Sequence, residues 1–114
     1  MAAPLASGNA VIIKPSDETP LSALWLGKML EDIFPEGVLS VLTGGPELGS
    51  AICKHPDIAA VSLVGSVQTG KAVLKAAADS MKRTQLELGG KNALIICPDA
   101  DLDAAIDGAV KGMN

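Results

Sequence analysis

Aromatic side chains are almost missing from this sequence. Trp25 and Phe34 are the only two, 2% of 114 residues, which argues against a platform for stacking nucleic-acid bases. An excess of positive charge is missing as well. Thirteen acidic residues against nine basic ones leave a net charge of −4, the wrong sign for gripping a phosphate backbone. Cysteine occurs only as Cys53 and Cys97, with neither metal-ligand spacing nor a disulfide framework, so both are expected as free thiols in a reducing cytoplasm. No apolar run is long enough to span a bilayer. The opening "MAAPLASGNA" lacks the basic start and long apolar stretch of a signal peptide. The expectation is a cytoplasmic protein with no nucleic-acid partner and no membrane.

What is present is aliphatic. The chain is 48% hydrophobic, and with so few rings its core must be built from Val, Ile, Leu, Met and Ala. Its length is that of one domain, enough for a real core. Short runs rich in Val, Ile and Leu fall at residues 10–13, 38–42, 60–64, 84–88 and 93–97. Several are apolar on successive residues, as in a parallel sheet covered on both faces.

Helical segments lie between the runs. Thr19-Pro20 reads as a cap and first turn, followed by Leu26, Met29, Leu30 and Ile33 on one face and a stop at "FPEG". Residues 48–55 form a second helix. Ser66 caps a third, with Val73, Ala76, Ala77 and Ser80 aligned. Asp99 caps a fourth, carrying Leu102, Ala105, Ile106, Ala109 and Met113 along one side. Asp101 and Asp103 suit the N-terminal dipole of that helix and Lys111 its other end. Strand alternating with helix predicts an α/β fold, a Rossmann-like open and mostly parallel sheet with flanking helices.

The segment "AAVSLVGSVQTGKAVLK" runs a strand through Gly65 to Lys71 into a helix. Its spacing is close to a triphosphate cradle, but that chemistry needs a Ser or Thr after the lysine to hold magnesium, and here Ala72 follows Lys71. A glycine turn before a helix N-terminus still attracts phosphate, at the strands' carboxyl ends where open α/β sheets bind ligands. The dinucleotide fingerprint G-x-G-x-x-G is absent, and "GGPELG" at 44–49 is only loosely similar. On spacing alone these glycines serve equally well as tight turns.

Lys14 ends the first strand at Pro15, on the same rim, where a solvated strand-end lysine is the ordinary alternative. Asp17 follows, able to accept from sugar hydroxyls or to cap the next helix. In "LELGGK", 86–91, Glu87 faces away from Leu86 and Leu88. A carboxylate flanked by leucines suits a general base, because desolvation favours its neutral form; an exposed strand glutamate is the commoner case. Cys53, Cys97 and His55 have no visible partner arrangement, and none is assigned chemistry.

Taken in order, "GNAVIIKPSDETP", "GVLSVLTGG", "VSLVGSVQTGK", "LELGGKNALII" and "DADLDAAIDGAV" closely resemble the middle of an NAD(P)-dependent aldehyde dehydrogenase. The likeness covers almost every residue. It implies that Lys14 and Asp17 hold the adenosine ribose hydroxyls, and that Pro46 and Thr69 flank the adenine with Gly45 and Gly49 allowing close packing. It further implies that Gly65 and Ser66 meet the diphosphate, with Gly70 letting the helix sit near it. Leu88 would lie beside the nicotinamide, and Glu87 would be the base that activates water to release an acyl-enzyme. Residues 1–89 would belong to the cofactor domain and 90–114 to the start of the catalytic domain.

Two departures bear on this reading. Asp17 stands where the family usually has Glu, so the choice between NAD and NADP stays open, and Val64 replaces a common Thr. The family's cysteine nucleophile is expected beyond Asn114, because Cys97 is too near Glu87 and Cys53 precedes the motif. The parent would oxidise a small-molecule aldehyde to an acid and would be a homo-oligomer, while the 114-residue chain would not turn over by itself. The alternative is a non-catalytic dinucleotide-binding or purely structural fragment. In either case, exposed apolar surface predicts self-association.

Overall fold

The computed structural model describes residues 1–91 and 93–112. Met113, expected on the face of the last helix, lies outside the described residues. Among these residues nine elements follow one another: α1 (Ala2–Ala6), β1 (Val11–Ile13), α2 (Leu21–Met29), β2 (Leu39–Val41), α3 (Pro46–Lys54), β3 (Ala60–Gly65), α4 (Val67–Ala78), β4 (Arg83–Leu88) and α5 (Leu102–Gly112). The chain is α/β, with every strand pairing parallel. No helix among the described residues is long and apolar enough to cross a membrane.

The strands form two separate parallel pairs. β1 pairs with β2, Val11 opposite Leu39 and Ile13 opposite Val41. β3 pairs with β4 over six positions, from Ala60 opposite Arg83 to Gly65 opposite Leu88. Residues 93–97 form no strand, against expectation. Their composition suits one, but a strand needs a ladder partner, and no sheet edge among the described residues meets them.

Helix ends show where local signals gave way. α2 starts after Pro20 with no side-chain cap, so Thr19 does not cap it, and it stops at Met29. Leu30 and Ile33 therefore lie beyond the regular helix, and Ile33 is 67% exposed. α3 begins two residues earlier than expected because Pro46 occupies its first turn, where a missing N–H costs nothing. Ser66 does cap α4, its Oγ accepting from the Thr69 amide at 3.1 Å. For α5 the cap is Asp101, whose Oδ1 accepts from the Ala104 amide at 3.0 Å. Asp99 lies two residues too early for that role.

The expected core is small. Cys53, Val73, Ala77 and Lys82 are the only buried side chains among the described residues, gathered where α3 packs on α4. The radius of gyration is 18.3 Å, against about 13 Å for a compact domain of this length. Much of the aliphatic content instead faces outward, as at Leu21, Val64 and Ile95, each more than three-quarters exposed. Splitting the sheet leaves the two strand pairs with no shared core to close around.

Candidate functional site

Between β1 and β3 lies a cavity of about 700 Å³, walled by both strands and by α3 and α4. Lys14 and Asp17 come to it from the end of β1, Pro46 and Gly49 from α3, and Thr69 from α4. β1 reaches the cavity because its short aliphatic run stops at Pro15, which has no N–H to extend the ladder.

The rim is charged in a defined way. Lys14 Nζ donates to Asp17 Oδ1 at 3.0 Å and to the Pro15 carbonyl at 3.1 Å. The lysine stem lies over α3, where a Cβ at Gly49 would sit 3.9 Å from Lys14 Cδ. Asp17 reaches the same helix: a Cβ at Gly45 would come within 3.9 Å of Asp17 Oδ2 and 3.0 Å of Glu47 Oε2. One ammonium and two carboxylates thus frame the start of α3, with Asp17 half-exposed.

The second wall is the start of α4. Ser66 and Thr69 hydroxyls lie 2.9 Å apart, and the Gly70 amide donates to Ser66 O at 2.9 Å. The Val67 and Gln68 amides open the helix and take no partner within it. No acidic side chain occupies this first turn, so the positive end of the helix dipole is left for a ligand anion. Gln68, which sequence reasoning did not single out, also lines the cavity, as do Ser16 and Ser50. The only sequence signal for Gln68 was its place inside the glycine turn.

The remaining candidates border this site without lining it. Gly65 and Leu88 are register partners at the ends of β3 and β4. Gly70 and Leu88 are in tight apposition, since a Cβ on Gly70 would sit 2.7 Å from both Leu88 methyls. Glu87 pairs in register with Val64, next to the turn. The exposure of β4 alternates strictly, so Thr84, Leu86 and Leu88 turn toward α4, while Glu87 lies on the other face with the exposed Val64. The cavity therefore gathers Lys14, Asp17, Pro46, Gly49 and Thr69, and Glu87 stands apart at the neighbouring strand end.

Neither thiol resembles an activated nucleophile. Cys53 is buried, and desolvation pushes its thiol above the ordinary value of 9.0, opposed by the nearby Lys82 charge. Cys97 is exposed, in the unpaired segment after the glycine pair.

This geometry has close counterparts. The sequence matches the profile described as the aldehyde dehydrogenase family over residues 1–114. It is 52% identical over its full length to aldehyde dehydrogenase tropH of Talaromyces stipitatus, covering 22% of that protein. Human retinaldehyde dehydrogenase 3 is 46% identical over 99% of the chain, which covers 23% of it. A solved double-mutant Staphylococcus aureus betaine aldehyde dehydrogenase in complex with NAD+ superposes with a TM-score of 0.88 at 38% identity, covering 98% of this chain and 23% of its own. The chain spans about a fifth of the length of these relatives. It belongs to the aldehyde dehydrogenase family.

Proposed function

We propose that the chain is the dinucleotide-holding part of an enzyme that oxidises an aldehyde to a carboxylic acid, with residues 1–89 as the cofactor segment and 90–114 as the start of the catalytic domain. The observation that carries this reading is the convergence of Lys14, Asp17, Pro46, Gly49 and Thr69 on one cavity beside an acid-free helix start. The donor set fits a dinucleotide. An ammonium beside a carboxylate can satisfy ribose hydroxyls, Pro46 and Thr69 offer flat contact for adenine, and the turn at Gly65-Ser66 offers amides to a diphosphate. The solved S. aureus relative, in complex with NAD+, supports the same assignment.

When bound, a dinucleotide would supply the acceptor for hydride leaving the substrate carbon. Leu88, fixed by its contact with Gly70, borders the nicotinamide end. Glu87 takes the proton from a water that hydrolyses the thioester, the second half of a two-step acyl transfer. The thiol for the first half comes from neither Cys53 nor Cys97. Because Lys14 meets either a 2′-hydroxyl or a 2′-phosphate, both NAD and NADP are candidate cofactors. With both cysteines free, the compartment assigned is the cytoplasm.

Titration calorimetry of the 114-residue chain with NAD and with NADP tests this. Saturable binding is expected, weakened at least about tenfold by Lys14→Ala, a charge-assisted contact. Equal affinity of the variant and the unchanged chain would overturn the assignment. With aldehyde and NAD present, no NADH should form. The second reading, a structural fragment with no ligand, is favoured by the four-residue core; it requires no heat with either dinucleotide.

A further inference from the structure

The dinucleotide site proposed above holds a single cation. Among the described residues that line the cavity, Lys14 is the one basic side chain. The chain's one arginine, Arg83, opens β4 at the far, amino end of that strand. Two of the three ammonium donors of Lys14 are taken by Asp17 Oδ1 and the Pro15 carbonyl. What remains is one donor on a charge already paired, which suits a neutral hydroxyl oxygen.

Two carboxylates close the same corner from different elements. The point where a Gly45 Cβ would sit is 3.0 Å from Glu47 Oε2 and 3.9 Å from Asp17 Oδ2. Gly45 immediately precedes Pro46, the residue assigned to the adenine, and Asp17 is assigned to the ribose. Glu47 therefore stands where those two assignments meet, and it comes from α3 rather than from the strand end. Its place in the first turn of that helix also suits the helix dipole.

NADP differs from NAD only in carrying a 2′-phosphate on the adenosine ribose, with about two negative charges at neutral pH. Dinucleotide sites take that group beside an arginine, and an acid that bonds the 2′-hydroxyl favours NAD. We infer that Glu47, together with Asp17, bars the 2′-phosphate, so that this site takes NAD and Glu47 is a specificity-determining residue. A second carboxylate repels the dianion and leaves a neutral hydroxyl untouched, so its effect falls on NADP. The inference rests on the dinucleotide reading and narrows its two candidate cofactors to one.

Titration calorimetry with NAD and with NADP tests it, on the unchanged chain and on Glu47→Gln and Glu47→Lys. Glu47 is exposed, so both variants should keep the fold, as circular dichroism will show. The unchanged chain should bind NAD at least about tenfold more tightly than NADP. Glu47→Gln should narrow that ratio by about threefold or more, the effect of one charge on two at a wet surface. Glu47→Lys should narrow it further, mostly by tighter NADP binding. Glu36→Gln makes the same change in net charge ahead of the amino end of β2 and should leave the ratio alone. A glutamate that served only the helix dipole would alter stability and not the ratio.

NADP binding as tightly as NAD would overturn the inference while leaving the dinucleotide reading standing. So would a ratio that neither Glu47 variant moves. Heat with neither nucleotide would overturn both.

Discussion

Gly70 and Leu88 are locked in contact: a Cβ at Gly70 would lie 2.7 Å from both Leu88 methyls and 3.3 Å from its Cγ. That contact sets how closely α4 approaches the end of β4, and with it the position of the strand end that carries Glu87.

Gly70→Ala should therefore destabilise. Displacing a packed leucine costs roughly 1–3 kcal/mol, offset by about 1 kcal/mol of helix propensity, for a net loss of about 1 kcal/mol. Urea denaturation reads it as a lower midpoint at unchanged slope. A variant as stable as the parent would show that Leu88 relaxes freely.

Ser66→Ala removes the only side-chain cap of α4. The expected loss is about 1 kcal/mol, seen as a lower thermal midpoint. Ser66→Asp restores the acceptor but sets a carboxylate at the helix start, so it should recover stability while weakening binding of an anionic ligand. Capping and ligand contact separate in that pair of measurements.

Lys82 is buried, and its Nζ donates to the carbonyls of His55 at 2.6 Å and Ile58 at 2.7 Å. It ties the end of α3 and the turn into β3 to the base of β4. Lys82→Met keeps the stem but strands the Ile58 carbonyl, while the His55 carbonyl still accepts from the Ile58 amide at 3.2 Å; the cost is about 1–3 kcal/mol, a large share of total stability. Hydrogen exchange should quicken first at Ile58 and the end of α3.

The two thiols should differ sharply in reactivity. Cys97 is exposed and Cys53 buried, so an alkylating reagent at neutral pH should modify Cys97 at least about tenfold faster, because only an accessible thiolate reacts. Burial raises the Cys53 thiol, which means the folded chain holds that proton where the unfolded chain has released it. Stability is therefore untouched below the ordinary value of 9.0 and falls as pH rises beyond it. Cys53→Ala should flatten that alkaline limb.

The α/β class was legible because strands and helices have different apolar periods, and β1 to β4, α4 and α5 fall close to where those periods place them, with α3 starting two residues early at Pro46. Ser66 was legible as a cap because capping needs only a hydroxyl three residues from an amide. Thr19 and Asp99 carried the same signal and do not cap, since Pro20 and Asp101 redefine where the helices begin. The segment 93–97 has strand composition and no strand, because pairing depends on an edge that composition does not supply.

The sequence by itself determined the elements, their order and the residues poised at strand ends, all of which depend on neighbours a few positions away. Only the tertiary structure decided that Lys14, Gly49 and Thr69 share a cavity while Glu87 stands on the adjacent strand face. Contacts across 24 or more residues, such as Lys82 with Ile58, are set by how the strand pairs and helices pack, and no local pattern encodes that.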